Sequence, residues 1–564
     1  MVMSLPAWSW RSWQRHHQMK AKTTATIQAN AAPTQVGQEI DLIKAEDWTK
    51  HPGASKTDAS VHITPIGRAI VNQDGSENQT NPTVNPVGPA IALSENFTIS
   101  AIAKPEIKNG GSLQFYGALP IIYDEWRYER NEIRFSFQNN VLTVELWDGR
   151  NQNPIEQKMF NDVFDSSVVV SLEKKGTSLT IYGNGKNLVT IPDHSIFDSK
   201  MLWFGADARV GTSGWDLTTL KVQGEGLTLA PALAPVSHDD PESLRNLASK
   251  RSRPLYIGAA LALNPLVSDD KYRTIALGQF NMMTTENDLK PQFVHPLPNV
   301  YVFNDADTLV DTALAHGMVI HGHTLVFGEA NARWMTMSPK DQRKQIMTDH
   351  IKTVMTHFKG RIAEWDVVNE PMSDYEYDRN GNPTLRNHIW YQAMGETYID
   401  EAFKAARVTD PTAKLYINDY GLEEDGDRWD AFVQLLGRLK SRGVPIDGVG
   451  FQAHVYDLGT DKIDGGILRK HIQQLEAMGL LSRISELDVS GVKTSIQTKQ
   501  YVDVLKACQA EPTCTSYGTW GVTDKYGSTT EIDSYPPEYG DDLIWDDNYK
   551  PKPIFKALQD TLKL

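Results

Sequence analysis

The sequence predicts a multidomain chain in which an antiparallel, jelly-roll-like β-sandwich precedes a (β/α)8 barrel. Three observations carry this. At 564 residues the chain exceeds one ordinary core. From about residue 36, short alternating segments recur at hairpin spacing. After about 250, apolar strand-like runs alternate with stretches of helical period.

In chain order, residues 1–35 read as a disordered tail. The first 38 residues hold no Asp or Glu, carry Arg11, Arg15, Lys20 and Lys22, and lack the continuous apolar stretch of a secretory signal. Residues 36–227 hold "FTISAIAKP", "EIRFSFQNN", "VLTVELWDG", "VVVSLEKKG", "TSLTIYGNG" and "MLWFGADAR". These are rich in β-branched and aromatic residues and are separated by Asn-Gly, Asp-Gly and other glycine turns. Residues 228–248, with "LAPALAP", read as the linker, and 249–564 as the barrel.

The barrel strands are placed at "PLYIGAA" (254–260), "QFNMMTT" (279–285), "MVIHGHTLVF" (318–327) and "EWDVVN" (364–369). Four more follow: "AKLYIND" (413–419), "DGVGFQAH" (447–454), "SRISELD" (482–488) and "YGTWGVTD" (517–524). Their apolar character suits a parallel sheet covered by helices. Among the intervening helices, "SPKDQRKQIMTDHIKTVMTHFKG" opens on a Ser-Pro cap signal, and it and "RWDAFVQLLGRLKSRG" both end at Gly.

A net charge of −15 argues against nucleic acid or an anionic membrane as partner, and no apolar run is long enough to span a bilayer. A neutral polymer fits better. The predicted strand ends carry Glu286, Asn287 and Lys290, then His323, Asn369 with Glu370, and Asn418 with Asp419. Gln452 with His454, Glu486 with Asp488, and Trp520 complete the set. The carboxyl-terminal rim of such barrels is where their chemistry is done. Two carboxylates among amides, a histidine and an indole suit glycoside hydrolysis, which needs one carboxyl protonated and the other ionised. His454, held by Asp488, is placed to keep Glu486 anionic, while a negative Glu486 would raise the pKa of Glu370. Asn418 and Asp419 read as supporting residues. Tyr420 and Trp334 fit either packing or distal sugar contact. No His stands at metal-ligand spacing from His454, so neither a metal nor a cofactor is expected.

At these residues, about 250–564, the chain resembles glycoside hydrolase family ten, the endo-β-1,4-xylanase family. "WDVVNE" resembles its acid/base motif, which implies Glu370 as general acid/base and Asn369 on the sugar 2-hydroxyl. "ISELDVS" resembles the nucleophile strand and implies Glu486 as nucleophile with Asp488 behind it. "TTENDLK", "HGHTLVF", "GFQAH" and "TWGVTDKYG" imply substrate contacts by Glu286, Asn287, Lys290, His323, Gln452, His454 and Trp520. The resemblance implies a retaining mechanism and a polysaccharide substrate, xylan or a related β-1,4-glycan, bound by a secreted monomer. Four positions depart from the family pattern: Phe327 and Gly328 replace Trp-His, Pro291 replaces Trp, and Ser528 stands where a second rim Trp is expected. Their smaller aromatic area implies room for hexose-containing or decorated chains. A glycan-binding protein that kept the barrel without its activity is the other function class.

The spacing of Cys508 and Cys514 fits a reduced pair or a small-loop disulfide, and "ACQAEPTC" is similar to the family's disulfide loop, which implies the bridge and export. "LWFGADARVGTSGWDLTTLKVQG" weakly resembles the closing strands of concanavalin-like or laminin-G-like modules. That resemblance implies a carbohydrate-binding module, with Trp126, Tyr128, Trp147 and Trp203 as stacking or core residues. Asn78 and Asn96 lie in glycosylation sequons.

Overall fold

The computed structural model describes residues 38–229, except 46–47, 49–53, 65–69, 72–76, 79–85, 94, 106–109, 117–120, 125–126, 130, 139–140, 149–155, 161–166, 193–196, 198–200 and 209–213. It further describes residues 236–564, except 254, 297, 380, 382, 457–462 and 528–541. The tail call on 1–35, Trp126 and Ser528, and the side chains of Asn78 and Tyr128, lie outside the described residues.

Among the described residues, the N-terminal unit contains two short two-stranded ribbons and two large antiparallel sheets. One runs Lys186–Pro192, Ser178–Gly183, Val168–Lys175, Phe97–Pro105, Trp215–Gly224, Val61–Ile63, Ala54–Lys56, with Gln38–Asp41 also paired to Trp215–Gly224. The other runs Glu156–Phe160, Val141–Asp148, Asn131–Gln138, Gly111–Tyr116, Met201–Ala208, Pro86–Ala92, Thr228–Leu229. Period-two alternation sends Ile99, Ala101, Leu172 and Val222 of the first sheet into one apolar cluster with Leu113, Phe115, Phe135 and Val144 of the second. The hairpin 178–192 turns at Asn184 and Gly185, whose φ angles of 47° and 78° are the primed-turn geometry that favours Asn-Gly.

The second unit is a closed barrel of eight parallel strands: β1 Tyr256–Leu261, β2 Met282–Thr285, β3 Val319–Gly322, β4 Glu364–Asn369, β5 Lys414–Asp419, β6 Gly448–Phe451, β7 Leu481–Ser490 and β8 Cys514–Thr519. Sheet order β3-β2-β1-β8-β7-β6-β5-β4 is closed by His321 pairing with Glu364 and Gly322 with Trp365. Helices cover the outside, each burying a stripe; Thr397–Thr409 buries Tyr398, Ile399, Ala402, Phe403 and Ala406. Asp269 and Asp464 cap the helices Asp270–Gln279 and Gly465–Ala477 by accepting two backbone N–H groups each. No helix among the described residues is long and apolar enough to cross a membrane.

The structure shifts some predicted bounds. The eighth strand is Cys514–Thr519 rather than 517–524, because the polar "CTSYGT" carries the ladder to β7 and leaves Trp520 just beyond it. Helix Lys340–His357 has Pro339 at its cap without a side-chain acceptor, and the Ser338 hydroxyl instead donates 2.6 Å to the Met335 carbonyl.

Cys508, on helix Thr494–Ala510, and Cys514, opening β8, are joined by a disulfide across six residues, and Arg253 donates to the Cys508, Gln509 and Cys514 carbonyls. Closing so short a loop stabilises by about 2 kcal/mol. Cys508→Ser/Cys514→Ser is therefore expected to unfold a few degrees lower in a thermal melt, and equal melting would refute a stabilising bridge.

Candidate active site

The polar residues named above lie at or just beyond the carboxyl-terminal ends of β2 to β8, except Glu486 and Asp488, which lie within the long β7. Glu486 lies within β7, and its side chain is only 5% exposed. Its Oε1 accepts 2.6 Å from Asn418 Nδ2 at the end of β5. Its Oε2 lies 3.2 Å from His454 Nε2, whose Nδ1 lies 2.8 Å from Asp488 Oδ1. Burial opposes charge on His454, but the carboxylates of Asp488 and Glu486 raise its pKa well above the ordinary value, so it donates from both nitrogens. Burial likewise pushes the Glu486 carboxyl upward; the His454 hydrogen bond and the nearby His323 reverse this and leave it below the usual glutamate range.

Glu370 follows β4 in the left-handed region, φ 51°, a conformation disfavoured for non-glycine residues and typical of sites whose surroundings over-determine it. Its Oε1 accepts from Gln452 Nε2 at 3.2 Å and from Asn369 Nδ2 at 3.4 Å, while Oε2 lies 3.4 Å from Arg386 Nη2. Burial dominates and raises its pKa to about 7, with Glu329 and Asp419 adding to the rise against Arg386. Desolvation leads, Glu329 and Asp419 are two acids that the sequence reading did not invoke for it, and a guanidinium stands beside the carboxyl.

One amide network ties the two carboxyls together. Asn418 Nδ2 donates to both Glu486 Oε1 and Asn369 Oδ1, and Asn418 Oδ1 accepts 2.7 Å from Ser485 Oγ. Asn418, read as a support, thus touches Glu486 directly. Its slot exists because Gly450 stands beside it in β6: a Cβ there would lie 2.1 Å from Asn418 Oδ1. Ala453, φ 60°, donates 2.7 Å to the buried Glu423, fixing the turn that carries both Gln452 and His454.

Around this pair, Trp520 forms a wall: His323 and His454 meet its ring edge-on at 5.3 and 6.2 Å, and Lys290 lies 5.8 Å from its ring centre. Lys290 Nζ donates 2.8 Å to Asn287 Oδ1, and Asn287 Nδ2 donates 3.2 Å to Glu286 Oε1. Burial raises Glu286 to about 7 and lowers Lys290. Asp419 accepts from the Met372 and Tyr420 N–H groups and from Arg428 Nη2, a structural role. Tyr420 lies between Arg386 and Arg428, and Trp334 is half-buried.

Beneath the rim, Asp366 lies 2.9 Å from both His321 Nε2 and His323 Nδ1. Burial pushes against its charge, but His321, His323 and Arg483 hold the carboxyl well below the usual range. His323, Asp366 and Glu486 bring one ligand atom each within 4.8 Å of one another, so a cation could be held there; His323 Nδ1 already occupies that space with Asp366.

Of the departures, Gly328 leaves no void. A Cβ would lie 2.7 Å from the His388 ring, which accepts the Tyr391 N–H and meets Tyr398 edge-on. Phe327 is 8% exposed, its carbonyl accepting from Trp390 Nε1, and Pro291 opens the short helix Pro291–Val294. The sequence reading missed Asp366, Arg386, Glu423 and Glu329. Asp366 sits inside the quoted motif and could have been found there by asking what a mid-strand carboxylate pairs with.

Residues 243–561 match the family described as Glycosyl hydrolase family 10. "Endo-1,4-beta-xylanase B" of Thermotoga neapolitana is 35% identical over 331 residues, covering 57% of this chain and 91% of that protein. "Beta-1,4-xylanase" of Dictyoglomus thermophilum is 34% identical, covering 50% of this chain and 82% of that one. The structure of xylanase 10B from Thermotoga petrophila in complex with xylobiose is similar at a TM-score of 0.51 and 34% identity, over 57% of this chain and 97% of that one.

Filling the Gly328 position should clash with His388. Gly328→Ala is expected to destabilise by about 1–3 kcal/mol through overpacking, and in urea unfolding the same change should cost much less when made in a His388→Ala background. A fully stable single variant would refute the contact.

Proposed function

The chain belongs to glycosyl hydrolase family 10, and from that premise we propose that it is a retaining endo-β-1,4-xylanase. The observation that carries this reading is the unequal surroundings of two carboxyls on one network: Glu486 beside His454, which favours its ionised form, and Glu370 buried among amides, its pKa raised to about 7. Glu486 attacks the anomeric carbon as Glu370 gives its proton to the departing oxygen. Glu370, now a carboxylate, then takes a proton from the water that attacks the glycosyl-enzyme. His454 and Asp488 keep Glu486 anionic and oriented. Asn369 and Gln452, with Glu286, Asn287, Lys290, His323 and Trp520, serve as sugar contacts. The disulfide supports export, and we read the chain as a monomer.

We also read residues 36–227 as a jelly-roll-like β-sandwich that binds polysaccharide. The register of the seven-stranded sheet lines up Trp203, Tyr116, Glu132 and Trp147 in one row across four strands. Trp203 is buried outside the common apolar cluster, and Trp147 is half-buried. Tyr116 and Glu132 are buried as well, so Trp147 is the member of the row that a sugar chain would stack on.

A 2-fluoroxylobioside with a good leaving group is expected to label Glu486 stoichiometrically, and Glu370→Ala and Glu486→Ala each to lose about 10³-fold or more in kcat on xylan. On the alkaline side kcat/KM should fall as pH passes about 7 and Glu370 loses its proton. On the acid side it should fall only below the ordinary glutamate range, because the Glu486 value is lowered. Full activity in either variant would end the assignment. For the sandwich, inactive Glu486→Ala chain should partition onto insoluble xylan, and Trp147→Ala in that background should reduce retention severalfold; equal retention would refute the module's site.

A further inference from the structure

The two oxygens of Glu370 have different surroundings. Oε1 accepts from the amides of Gln452 and Asn369, so the proton of the neutral carboxyl belongs on Oε2. That oxygen faces Arg386 Nη2 at 3.4 Å, and a guanidinium offering its full charge there would expel the proton. Its charge is already shared. Arg386 Nη1 is paired with the Glu329 carboxylate, Nη2 donates 2.8 Å to Tyr420 Oη and lies 3.7 Å from Asp374, and Nε donates 3.4 Å to the Met372 carbonyl.

Glu329 reaches Arg386 from the loop after β3, where Asn331 Nδ2 pins the Phe327 and Gly328 carbonyls. Arg386 is fixed from its own side: its N–H donates to the Pro371 carbonyl, and its carbonyl accepts from His388. Gly328 and His388 stand close beside the ion pair, where a Cβ on Gly328 would lie 2.7 Å from the His388 ring. The other charged or titratable groups around Glu370 and Arg386 are Asp374 from the segment after β4, Asp419 at the end of β5, Tyr420 just after it, and Arg428 from the helix Asp427–Ser441. Lys290 stands beyond β2, Glu486 on β7, and His388 beside Arg386. Of these acids, Glu329 alone holds Nη1, the amino group turned away from Glu370.

We propose that Glu329 is a positioning residue for the acid step: by holding Arg386 at Nη1 it keeps enough guanidinium charge off Glu370 Oε2 for that oxygen to carry the leaving-group proton. The inference rests on Glu370 as the general acid. It gives Arg386 a double role, since the same guanidinium steadies the Glu370 carboxylate once the proton has gone.

The test is the pH profile of the full chain carrying Glu329→Gln, a near-isosteric change at a side chain 37% exposed. The alkaline limb of kcat/KM on xylan should move to lower pH by about half a unit or more, an about threefold loss on that limb, with rates near pH 5.5 within about twofold. Turnover of a 2,4-dinitrophenyl xylobioside, whose leaving group needs no proton, should keep its profile. Glu329→Asp, which retains the charge, should restore the limb on xylan. An unmoved limb in Glu329→Gln, or an equal loss at every pH on both substrates, would overturn the proposal. Glu370→Ala keeps the two readings apart: if it fails to abolish the alkaline limb on xylan, the acid assignment itself falls.

Discussion

Two carboxyl groups buried on one rim and joined by shared amides cannot both carry charge cheaply, because in a low-dielectric site each lone charge is costly and like charges repel. The structure resolves this by placing cations unequally. Glu486 receives a charged imidazole whose other nitrogen is anchored on Asp488, so its charge is compensated where it sits. Glu370 faces amides on one oxygen and an already occupied guanidinium on the other. Everything else about the rim serves to keep these two environments different.

The barrel supplies the rigidity. Consecutive strands β4 to β7 deliver Asn369, Asn418, Gln452 and Glu486 into one hydrogen-bonded patch, and the glycine beside Asn418 admits its side chain where a Cβ would exclude it. Below it, Asp366 clamps His321 and His323, so the floor is a buried polar cluster that shares one carboxylate. The left-handed backbone at Glu370 and Ala453 fits the same picture: conformations of this kind persist where neighbouring contacts leave no alternative.

Much of this was legible in the sequence, for physical reasons. Strand β4 was placed at its observed bounds because "EWDVVN" is a fully buried run ended by a polar pair and a proline. Strand β8 was misplaced because its ladder is built by small and polar residues, while the apolar residues that suggested it lie past its end. The strand-end residues could be listed because a parallel barrel puts every strand end on one rim. Arg386 and Glu329 could not, since both sit on loops whose meeting follows from tertiary packing rather than from strand ends. At Gly328 the structure gives a departure from the family pattern a local reason: the His388 ring stands where a side chain would have to go.

The account turns on which carboxyl holds the proton in the resting enzyme. Carbon-13 NMR titration of glutamate-labelled chain, assigned with the Glu370→Gln and Glu486→Gln variants, reads this directly. Glu370 is expected to titrate near 7 and Glu486 below the ordinary glutamate range. A spectrum in which Glu486 carries the raised value, or in which both titrate as ordinary glutamates, would contradict the account.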